Sequence, residues 1–145
     1  MKTQVIKSNN TFIALDVGIV KNISPKLILI DYDGTIAPKS APDMFEEALD
    51  KINELKKITN NIAIISNKLD QSLVKKAGNY LQVEKVYTPR GLHGIKPFKK
   101  MFNQAIKDVD AKASETILIG DRYYSDLLGA VISRLKAVIL VKTEK

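Results

Sequence analysis

From Lys26 onward, short apolar runs alternate with segments of helical periodicity, and no other feature of the sequence limits the possible folds as strongly. The first run, Leu27–Asp31, has the length and continuous hydrophobicity of a strand buried on both faces. Four further runs follow, at Ile62–Ser66, Val83–Tyr87, Thr116–Gly120 and Lys136–Val141. Strand–helix alternation of this kind is typical of right-handed crossovers in a parallel sheet. The sequence therefore predicts an α/β fold of three layers, doubly wound and Rossmann-like, with a central five-stranded parallel sheet.

The segments between the runs carry apolar residues three or four positions apart, as on one face of a helix. The first of these helices is predicted to begin at Pro42, because proline suits the first helical turn. The predicted core-facing residues of the four helices are Phe45, Ala48, Leu49, Ile52 and Leu55; Leu73, Val74, Ala77 and Leu81; Phe98, Met101, Phe102, Ala105, Ile106 and Val109; and Tyr124, Leu127, Leu128 and Val131.

The chain of 145 residues suits a single domain with a sizeable core. Residues 1–25 have the weakest pattern and are predicted to form an N-terminal segment, an extra strand or arm, with Thr11–Val17 as the candidate strand. No apolar run approaches the roughly 18 residues that a membrane-spanning helix needs. The first ten residues also lack the apolar core of a secretory signal. We therefore expect a cytoplasmic protein.

The composition narrows the classes of partner. The net charge is +7, and 20 of the 23 basic residues are lysines. Nucleic-acid binders usually cluster arginine and aromatic residues on one face, whereas these lysines are scattered and tryptophan is absent. We therefore expect no nucleic-acid partner, but an attraction to anionic ligands or to the anionic surface of a membrane. The lack of cysteine excludes disulfides, zinc–thiolate sites and thiol nucleophiles. The sequence does not determine the oligomeric state.

Polar side chains follow the predicted strands at the sheet edge where such folds bind ligands. They belong to Asp31–Thr35, Ser66, Lys96, Asp121 and Asp126. Carboxylates gathered on one rim repel one another, since two unit charges 4 Å apart cost on the order of 4 kcal/mol at an effective dielectric of 20. A hard divalent cation with oxygen ligands, most simply Mg²⁺, relieves that repulsion and commonly shares its shell with a phosphate. The sequence therefore predicts a magnesium site that takes a phosphate, with a lysine beside it.

In their order along the chain, these residues resemble the four motifs of the haloacid dehalogenase-like (HAD) phosphohydrolase superfamily. The motifs are Asp-x-Asp-Gly-Thr at 31–35, a serine at 66, Lys-Pro at 96–97 and Gly-Asp-x₄-Asp at 120–126. Each motif alone is weakly specific, but four in order on the expected elements are strongly so. The resemblance covers residues 26–142, and it implies that residues 26–145 form a HAD-like catalytic domain.

The resemblance also implies a role for each residue in a phosphatase reaction. Asp31 is expected to be the nucleophile that forms an aspartyl-phosphate, and Asp33 the general acid that later acts as general base. Ser66 is expected to donate a hydrogen bond to the phosphoryl group, and Lys96 to offset its charge. The expected Mg²⁺ ligands are Asp31, the backbone carbonyl of Asp33, Asp121 and, directly or through a water molecule, Asp126. The expected substrate contacts are Gly34, Thr35, Asn67 and Arg122.

The intervals between the motifs leave no space for a cap domain. Ser66 follows Asp33 by 33 residues, and Lys96 follows Ser66 by 30 residues. An open site suits a bulky substrate, or one enclosed by a neighbouring subunit. The motifs are most similar to subfamily IIIA, which includes phosphatidylglycerophosphate phosphatases, although Gly34 stands where those relatives commonly have asparagine. The Leu128–Ala130 stretch also departs from their common Gly-Gly-Asn.

Two alternatives from other functional classes stay open. A receiver-like signalling domain also combines a doubly wound sheet with a phospho-accepting aspartate, Mg²⁺ and a lysine. Such a domain places its acceptor after the third strand and its lysine after the fifth, whereas the acidic pair here follows the first predicted strand. The second alternative is a basic scaffold that binds RNA and has lost catalysis, against which the complete set of motifs argues.

Overall fold

A computed structural model describes residues 2–68, 70–89 and 100–145. Across these residues the chain forms one parallel sheet of six strands in the order β1-β6-β5-β2-β3-β4. The strands are β1 (Gln4–Thr11), β2 (Leu27–Asp31), β3 (Ile62–Ile65), β4 (Lys85–Tyr87), β5 (Thr116–Gly120) and β6 (Ala137–Lys142). The α-helices are α1 (Val17–Ile23), α2 (Ala48–Lys56), α3 (Ser72–Leu81), α4 (Lys100–Asp108) and α5 (Leu128–Ile132).

Alternate residues of the central strands feed two separate cores, because successive side chains of a strand point to opposite faces. On β2, Ile28 and Ile30 pack with α1, α2 and α3, whereas Leu27 and Leu29 pack with α4 and α5. All five residues of β2 are buried. The sheet therefore lies between two helical layers, and the predicted three-layer α/β class is confirmed.

The functional edge of the sheet lies at the point where the chain reverses its winding. From β2 the chain continues outward to β3 and β4, while β5 lies on the other side of β2. Ile30 of β2 stands beside Ile119 of β5, so the residues that follow these two strands emerge next to each other. In open α/β sheets, ligands bind at such a crevice outside the carboxyl ends of the strands.

The sheet has six strands rather than the predicted five, because the N-terminal segment contributes β1. The proposed strand at Thr11–Val17 is wrong: residues 12–14 form a 3₁₀ turn and α1 begins at Val17. Phe12 is buried in the core, and Asp16 caps α1 by accepting a hydrogen bond of 2.9 Å from the backbone N–H of Gly18. The strand precedes this stretch and pairs with β6 at the edge of the sheet.

The helix that follows β2 begins at Ala48, not at Pro42 as predicted. Residues 42–47 form turns. The carbonyl of Pro42 accepts a hydrogen bond from the hydroxyl of Tyr32, instead of serving a helical N–H. The predicted inward face of this helix is nevertheless confirmed, since Ala48, Ile52 and Leu55 are all fully buried.

The inward face predicted for the last helix is wrong for Tyr124, Leu128 and Val131, whereas Leu127 packs against the core as predicted. Tyr124, Leu128 and Val131 are 71%, 38% and 48% exposed, while Gly129 and Ala130 are buried. A π-helical turn at Tyr123–Leu127 precedes α5, and its wider turn shifts the phase of the side chains relative to a regular helix. The faces predicted for α3 and for residues 101–106 of α4 are confirmed, whereas Phe98 lies outside the described residues.

Within the part of the chain that the structure describes, no helix has both the length and the apolar character that crossing a membrane requires.

Candidate active site

Three carboxylates meet where β2 and β5 end. Asp31, Asp121 and Asp126 each offer an oxygen that lies within 4.8 Å of the oxygens of the other two. Asp31 is 5% exposed, Asp126 is fully buried, and the side chain of Asp121 has no exposed surface. Buried charges in proteins are usually paired or bound to a metal. We call these three residues the acidic cluster.

The spacing of Gly120, Asp121 and Asp126 has a direct structural reason. After β5 the π-helical turn reverses the chain, so that the backbone N–H of Arg122 donates a 3.2 Å hydrogen bond to Asp126 Oδ2. This places the Asp126 side chain directly against the end of the strand. A Cβ on residue 120 would lie 2.3 Å from Asp126 Oδ2 and 2.5 Å from its Cγ. Only glycine at position 120 therefore lets Asp126 reach the acidic cluster.

Asp121 is held by residues from two other parts of the chain, the loop after β2 and the segment after β6. Thr143 Oγ1 donates a 2.8 Å hydrogen bond to Asp121 Oδ2. Thr35 Oγ1 lies 3.5 Å from Asp121 Oδ1 and 3.4 Å from Asp31 Oδ2, between the two carboxylates. Gly34 has a φ of +75° and passes so close that a Cβ would lie 2.4 Å from Asp121 Oδ2. These contacts fix the carboxylate relative to the loop that follows β2.

The segment that follows β6 is hydrogen-bonded to the loop that follows β2. The backbone N–H of Glu144 donates a 2.7 Å hydrogen bond to the carbonyl of Gly34, and the carbonyl of Glu144 accepts a 3.0 Å hydrogen bond from the N–H of Lys39. Residues 143–144 therefore form part of the wall around Asp121.

Asp33 is not one of the three residues of the acidic cluster, and it has a lysine partner. Its Oδ1 is 3.5 Å from Lys68 Nζ, and both side chains are about one quarter exposed, at 25% and 27%. Between the two aspartates, Tyr32 is fully buried, and burial together with the charges of Asp33 and Asp43 raises the pKa of its hydroxyl to about 12. Tyr32 therefore stays protonated and anchors the loop through its bond to Pro42.

Ser66 follows β3 and faces the same edge of the sheet. Its backbone N–H donates a 3.0 Å hydrogen bond to the carbonyl of Tyr87, and its hydroxyl oxygen accepts a 3.0 Å hydrogen bond from the backbone N–H of Lys68. The accepting hydroxyl keeps its own proton for donation. Ser66 does not cap α3, because Asp70 Oδ1 accepts the 2.9 Å bond from the N–H of Ser72 instead.

The remaining predicted site residues are placed as follows. Asn67 is half-buried beside Ser66, and Arg122 is exposed next to Asp121. Thr35 is fully buried, and both backbone groups of Gly34 bond within the protein, so their predicted contacts with substrate stay predictions. Lys96 and the Lys-Pro motif lie outside the described residues.

Three residues near the carboxylates escaped the sequence analysis. Lys68 pairs with Asp33, Lys39 Nζ lies 4.0 Å from Asp121 Oδ2, and Thr143 bonds to that same oxygen. Each of the two lysines is one of 20 in the chain. Position after a strand end was the one signal available, and it applies to Lys68, two residues beyond Ser66, and to Thr143, which directly follows β6.

The acidic cluster fits a hard divalent cation. The cluster found among the described residues offers only carboxylate oxygens, the donors that Mg²⁺ prefers. Oxygens on opposite sides of one Mg²⁺ lie about 4.2 Å apart. At most one pair of three ligands can be opposite, and adjacent oxygens lie about 3.0 Å apart, so from separations of at most 4.8 Å the carboxylates would close by up to about 1.8 Å to bind one Mg²⁺.

Residues 38–140 match the haloacid dehalogenase-like hydrolases. The match covers most of the chain and begins after Asp31–Thr35, so it does not depend on that motif. The chain belongs to the haloacid dehalogenase-like hydrolase family. The family resemblance inferred from the four motifs is thereby confirmed, while the similarity to subfamily IIIA stays a prediction.

Two curated relatives of this hydrolase are named as phosphatases. The chain is 25% identical over 122 residues to "Probable phosphatase YqeG" of Bacillus subtilis (strain 168), an alignment that covers 84% of this chain and 67% of the Bacillus protein. It is 44% identical over 43 residues to glyceraldehyde 3-phosphate phosphatase of Pyrococcus furiosus, which covers 30% of this chain and 18% of that protein. The protein is thus an enzyme of a hydrolase family in which named relatives are phosphatases.

Solved structures agree with the fold of the hydrolase. An uncharacterized protein from Listeria monocytogenes serotype 4b superposes with a TM-score of 0.61 at 18% identity, covering 79% of this chain and 77% of the other. The cobalt-bound deoxy-D-mannose-octulosonate 8-phosphate phosphatase of Haemophilus influenzae gives a TM-score of 0.59 at 16% identity, with 84% and 78% coverage. At these identities the similarity shows the α/β fold.

Proposed function

We propose that this hydrolase is a Mg²⁺-dependent phosphomonoesterase that forms an aspartyl-phosphate on Asp31. Membership of the family and the phosphatase relatives support hydrolysis of phosphoric monoesters. The metal, the nucleophile and the class of substrate are the further content of the proposal. A hydrolase family also favours this reaction over the receiver-like and RNA-binding alternatives.

The observation that carries the proposal is the acidic cluster at the switch point of the sheet. Asp31 and Asp121 follow neighbouring strands, and Asp126 joins them through the π-helical turn. Buried carboxylates this close together favour a cation among them. A bound Mg²⁺ would supply positive charge that offsets these carboxylates and the phosphoryl oxygens. Asp31, Asp121, Asp126 and the backbone carbonyl of Asp33 are its proposed ligands.

In the first half of the proposed reaction, one carboxylate oxygen of Asp31 attacks phosphorus. The bond from phosphorus to the ester oxygen breaks, and its electron pair stays on that oxygen. Asp33 gives its proton to the departing oxygen, so the product leaves as a neutral alcohol. Ser66 donates its hydroxyl proton as a hydrogen bond to a phosphoryl oxygen, and Lys96 is proposed to offset the charge of the phosphoryl group.

In the second half, a water molecule attacks the phosphorus of the aspartyl-phosphate. Asp33, now a carboxylate, takes one proton from that water. The bond from phosphorus to the Asp31 oxygen breaks, which releases inorganic phosphate and restores the carboxylate. Two displacements by way of a covalent intermediate replace one difficult attack by water.

The substrate is proposed to be a bulky phosphomonoester. The motif intervals leave no room for a cap, and the net charge of +7 favours substrates that are anionic or that lie on an anionic surface. A phosphatidylglycerophosphate-like lipid combines both properties. The proposal therefore includes contact with anionic membrane lipid during turnover.

The nucleophile is tested by Asp31→Asn, assayed on p-nitrophenyl phosphate with Mg²⁺. We expect turnover to vanish while the circular dichroism spectrum and melting temperature stay close to those of the wild type. Asp110→Asn, at an exposed aspartate that follows α4, is the matched control and should retain full activity. Wild-type rates in Asp31→Asn would remove Asp31 from the mechanism.

The metal and the substrate are tested separately. Removal of divalent ions by EDTA should abolish turnover, and Mg²⁺ should restore it; restoration by another ion alone would correct the identity of the metal. A panel of phosphate esters, with phosphatidylglycerophosphate vesicles as one member, then ranks the substrates. Beryllium with fluoride should inhibit by occupying Asp31, and full activity in their presence would contradict the covalent intermediate.

A further inference from the structure

We propose that Lys68 binds a second negative charge on the substrate, and that the enzyme therefore prefers phosphomonoesters whose leaving group is anionic. This inference rests on the function proposed above. The shared chemistry is an anionic group, a carboxylate or a second phosphate, a few bonds from the ester oxygen.

Lys68 is positioned by the same loop that carries Ser66. Its backbone N–H donates a 3.0 Å hydrogen bond to Ser66 Oγ, which fixes the start of the side chain at the edge of the site. Its Nζ then reaches to 3.5 Å from Asp33 Oδ1. The side chain is 27% exposed, so its ammonium group lies at the boundary between protein and solvent.

This position lies on the leaving-group side of the site. A proton donor must come within about 3.2 Å of the oxygen that it protonates. With Lys68 Nζ 3.5 Å from Asp33 Oδ1, the ammonium group lies within about 7 Å of the leaving oxygen when Oδ1 carries the proton, and within about 9 Å when Oδ2 carries it. These distances suit an anionic group two or three bonds beyond the ester oxygen.

The ammonium group can hold Asp33 and a substrate anion together. It carries three N–H donors, and its 3.5 Å ion pair with Asp33 Oδ1 needs at most one of them. The other lysine near the carboxylates, Lys39, contacts Asp121 of the acidic cluster instead, 4.0 Å away and 49% exposed. Of these two lysines, Lys68 alone is therefore placed to distinguish leaving groups.

The test compares 3-phosphoglycerate with glycerol 3-phosphate, which share a chain length but differ in one carboxylate. For the wild type we expect kcat/KM to be about tenfold higher for 3-phosphoglycerate, a difference of 1.4 kcal/mol. In Lys68→Met this ratio should fall to near one, and in Lys68→Arg it should largely persist. Added salt should lower the wild-type ratio, because it screens a partly exposed charge.

The ratio of kcat/KM for the two substrates shows whether Lys68 binds the substrate or only holds Asp33 in place. A lysine that only holds Asp33 would change kcat for both substrates by the same factor, so an unchanged ratio in Lys68→Met overturns the inference. So does a wild type that hydrolyses both substrates equally well. The matched control is Lys76→Met, at an exposed position of α3, which should keep the wild-type ratio.

The two proposals fail in different ways. If the wild type hydrolyses neither substrate nor p-nitrophenyl phosphate with Mg²⁺, the phosphatase proposal fails and this inference fails with it. If p-nitrophenyl phosphate is hydrolysed but the leaving-group preference is absent, only the role of Lys68 is refuted. Circular dichroism of each variant establishes that the fold is intact.

Discussion

Replacing Gly120 by alanine should separate the fold from the metal site. The added Cβ would lie 2.3 Å from Asp126 Oδ2, 2.5 Å from its Cγ and 3.0 Å from its Cβ. All three atoms are affected, so rotation of the carboxylate alone cannot relieve the overlap. Oδ2 would have to move from 2.3 Å to at least the 3.0 Å that real contacts require, a retreat of 0.7 Å or more.

A retreat of that size is large on the scale of metal coordination. Ligand distances in protein sites hold to about 0.2 Å, and Mg²⁺ tolerates little departure from its octahedral geometry. We therefore expect Gly120→Ala to weaken Mg²⁺ binding by about tenfold or more, which is the range for disturbed metal surroundings. Overpacking at this buried position should also cost about 1–3 kcal/mol of folding free energy.

The measurement is a Mg²⁺ titration by isothermal calorimetry, alongside the Mg²⁺ concentration that gives half-maximal turnover. Gly18→Ala is the matched control. It also adds a methyl group to a glycine, but its Cβ would approach only the carboxylate of Asp16, an exposed residue, at 3.1 Å. It should bind Mg²⁺ as the wild type does. Unchanged Mg²⁺ affinity in a folded Gly120→Ala protein would refute the role given to Asp126.

Three further predictions concern stability and ionisation. Tyr124→Ala should change the free energy of unfolding by less than about 0.5 kcal/mol, because Tyr124 is 71% exposed. Phe102→Ala, at a fully buried aromatic residue, should cost about 3–5 kcal/mol. If urea titrations gave similar losses for the two variants, the exposed placement of Tyr124 would be contradicted. Gly34→Ala should cost about 1–2 kcal/mol from its positive φ alone, and an unaltered urea midpoint would rule out that backbone strain. Tyr87→Phe should raise the pKa of Asp108, which is lowered mainly by the 2.6 Å hydrogen bond from the Tyr87 hydroxyl. Since the folded-state pKa is the lower one, this stabilisation exists above the ordinary pKa of 3.8 and is lost as the pH falls through the folded value; an unshifted carboxyl titration by NMR would contradict it.

The acidic cluster could be predicted because its chemistry depends on strand order more than on detail. Asp31 and Asp121 each follow a run of apolar residues that can only be a buried strand, and parallel strands deliver their ends to one edge. The meeting of Asp31 and Asp121 needed no knowledge of loops or of side-chain packing. The place of Asp126 was implied by the family motif Gly-Asp-x₄-Asp, because the π-helical turn that brings it to the cluster has no signature in the helical periodicity.

The features whose position the sequence did not give are those in which the local hydrophobic pattern is weak or is changed by tertiary contacts. β1 is a half-solvated edge strand of mostly polar residues, with Ile6 packed against the core, so it lacks the apolar alternation of a central strand. The π-helical turn inserts a phase change that a period of 3.6 residues cannot represent. The pairing of Lys68 with Asp33 joins residues 35 positions apart, and the position of Lys68 after β3 does not by itself show that it reaches Asp33.

Residues 143 and 144 leave the sheet after β6 and close against the loop of Gly34, with the Thr143 hydroxyl on Asp121. Proteolytic trimming after Lys142 would remove both contacts and leave every strand paired. Such a shortened protein would have a native circular dichroism spectrum, but its Asp121 carboxylate would lack the hydrogen bond from Thr143. A purification tag is therefore better placed before β1 than after Glu144, because the residues that hold Asp121 follow β6.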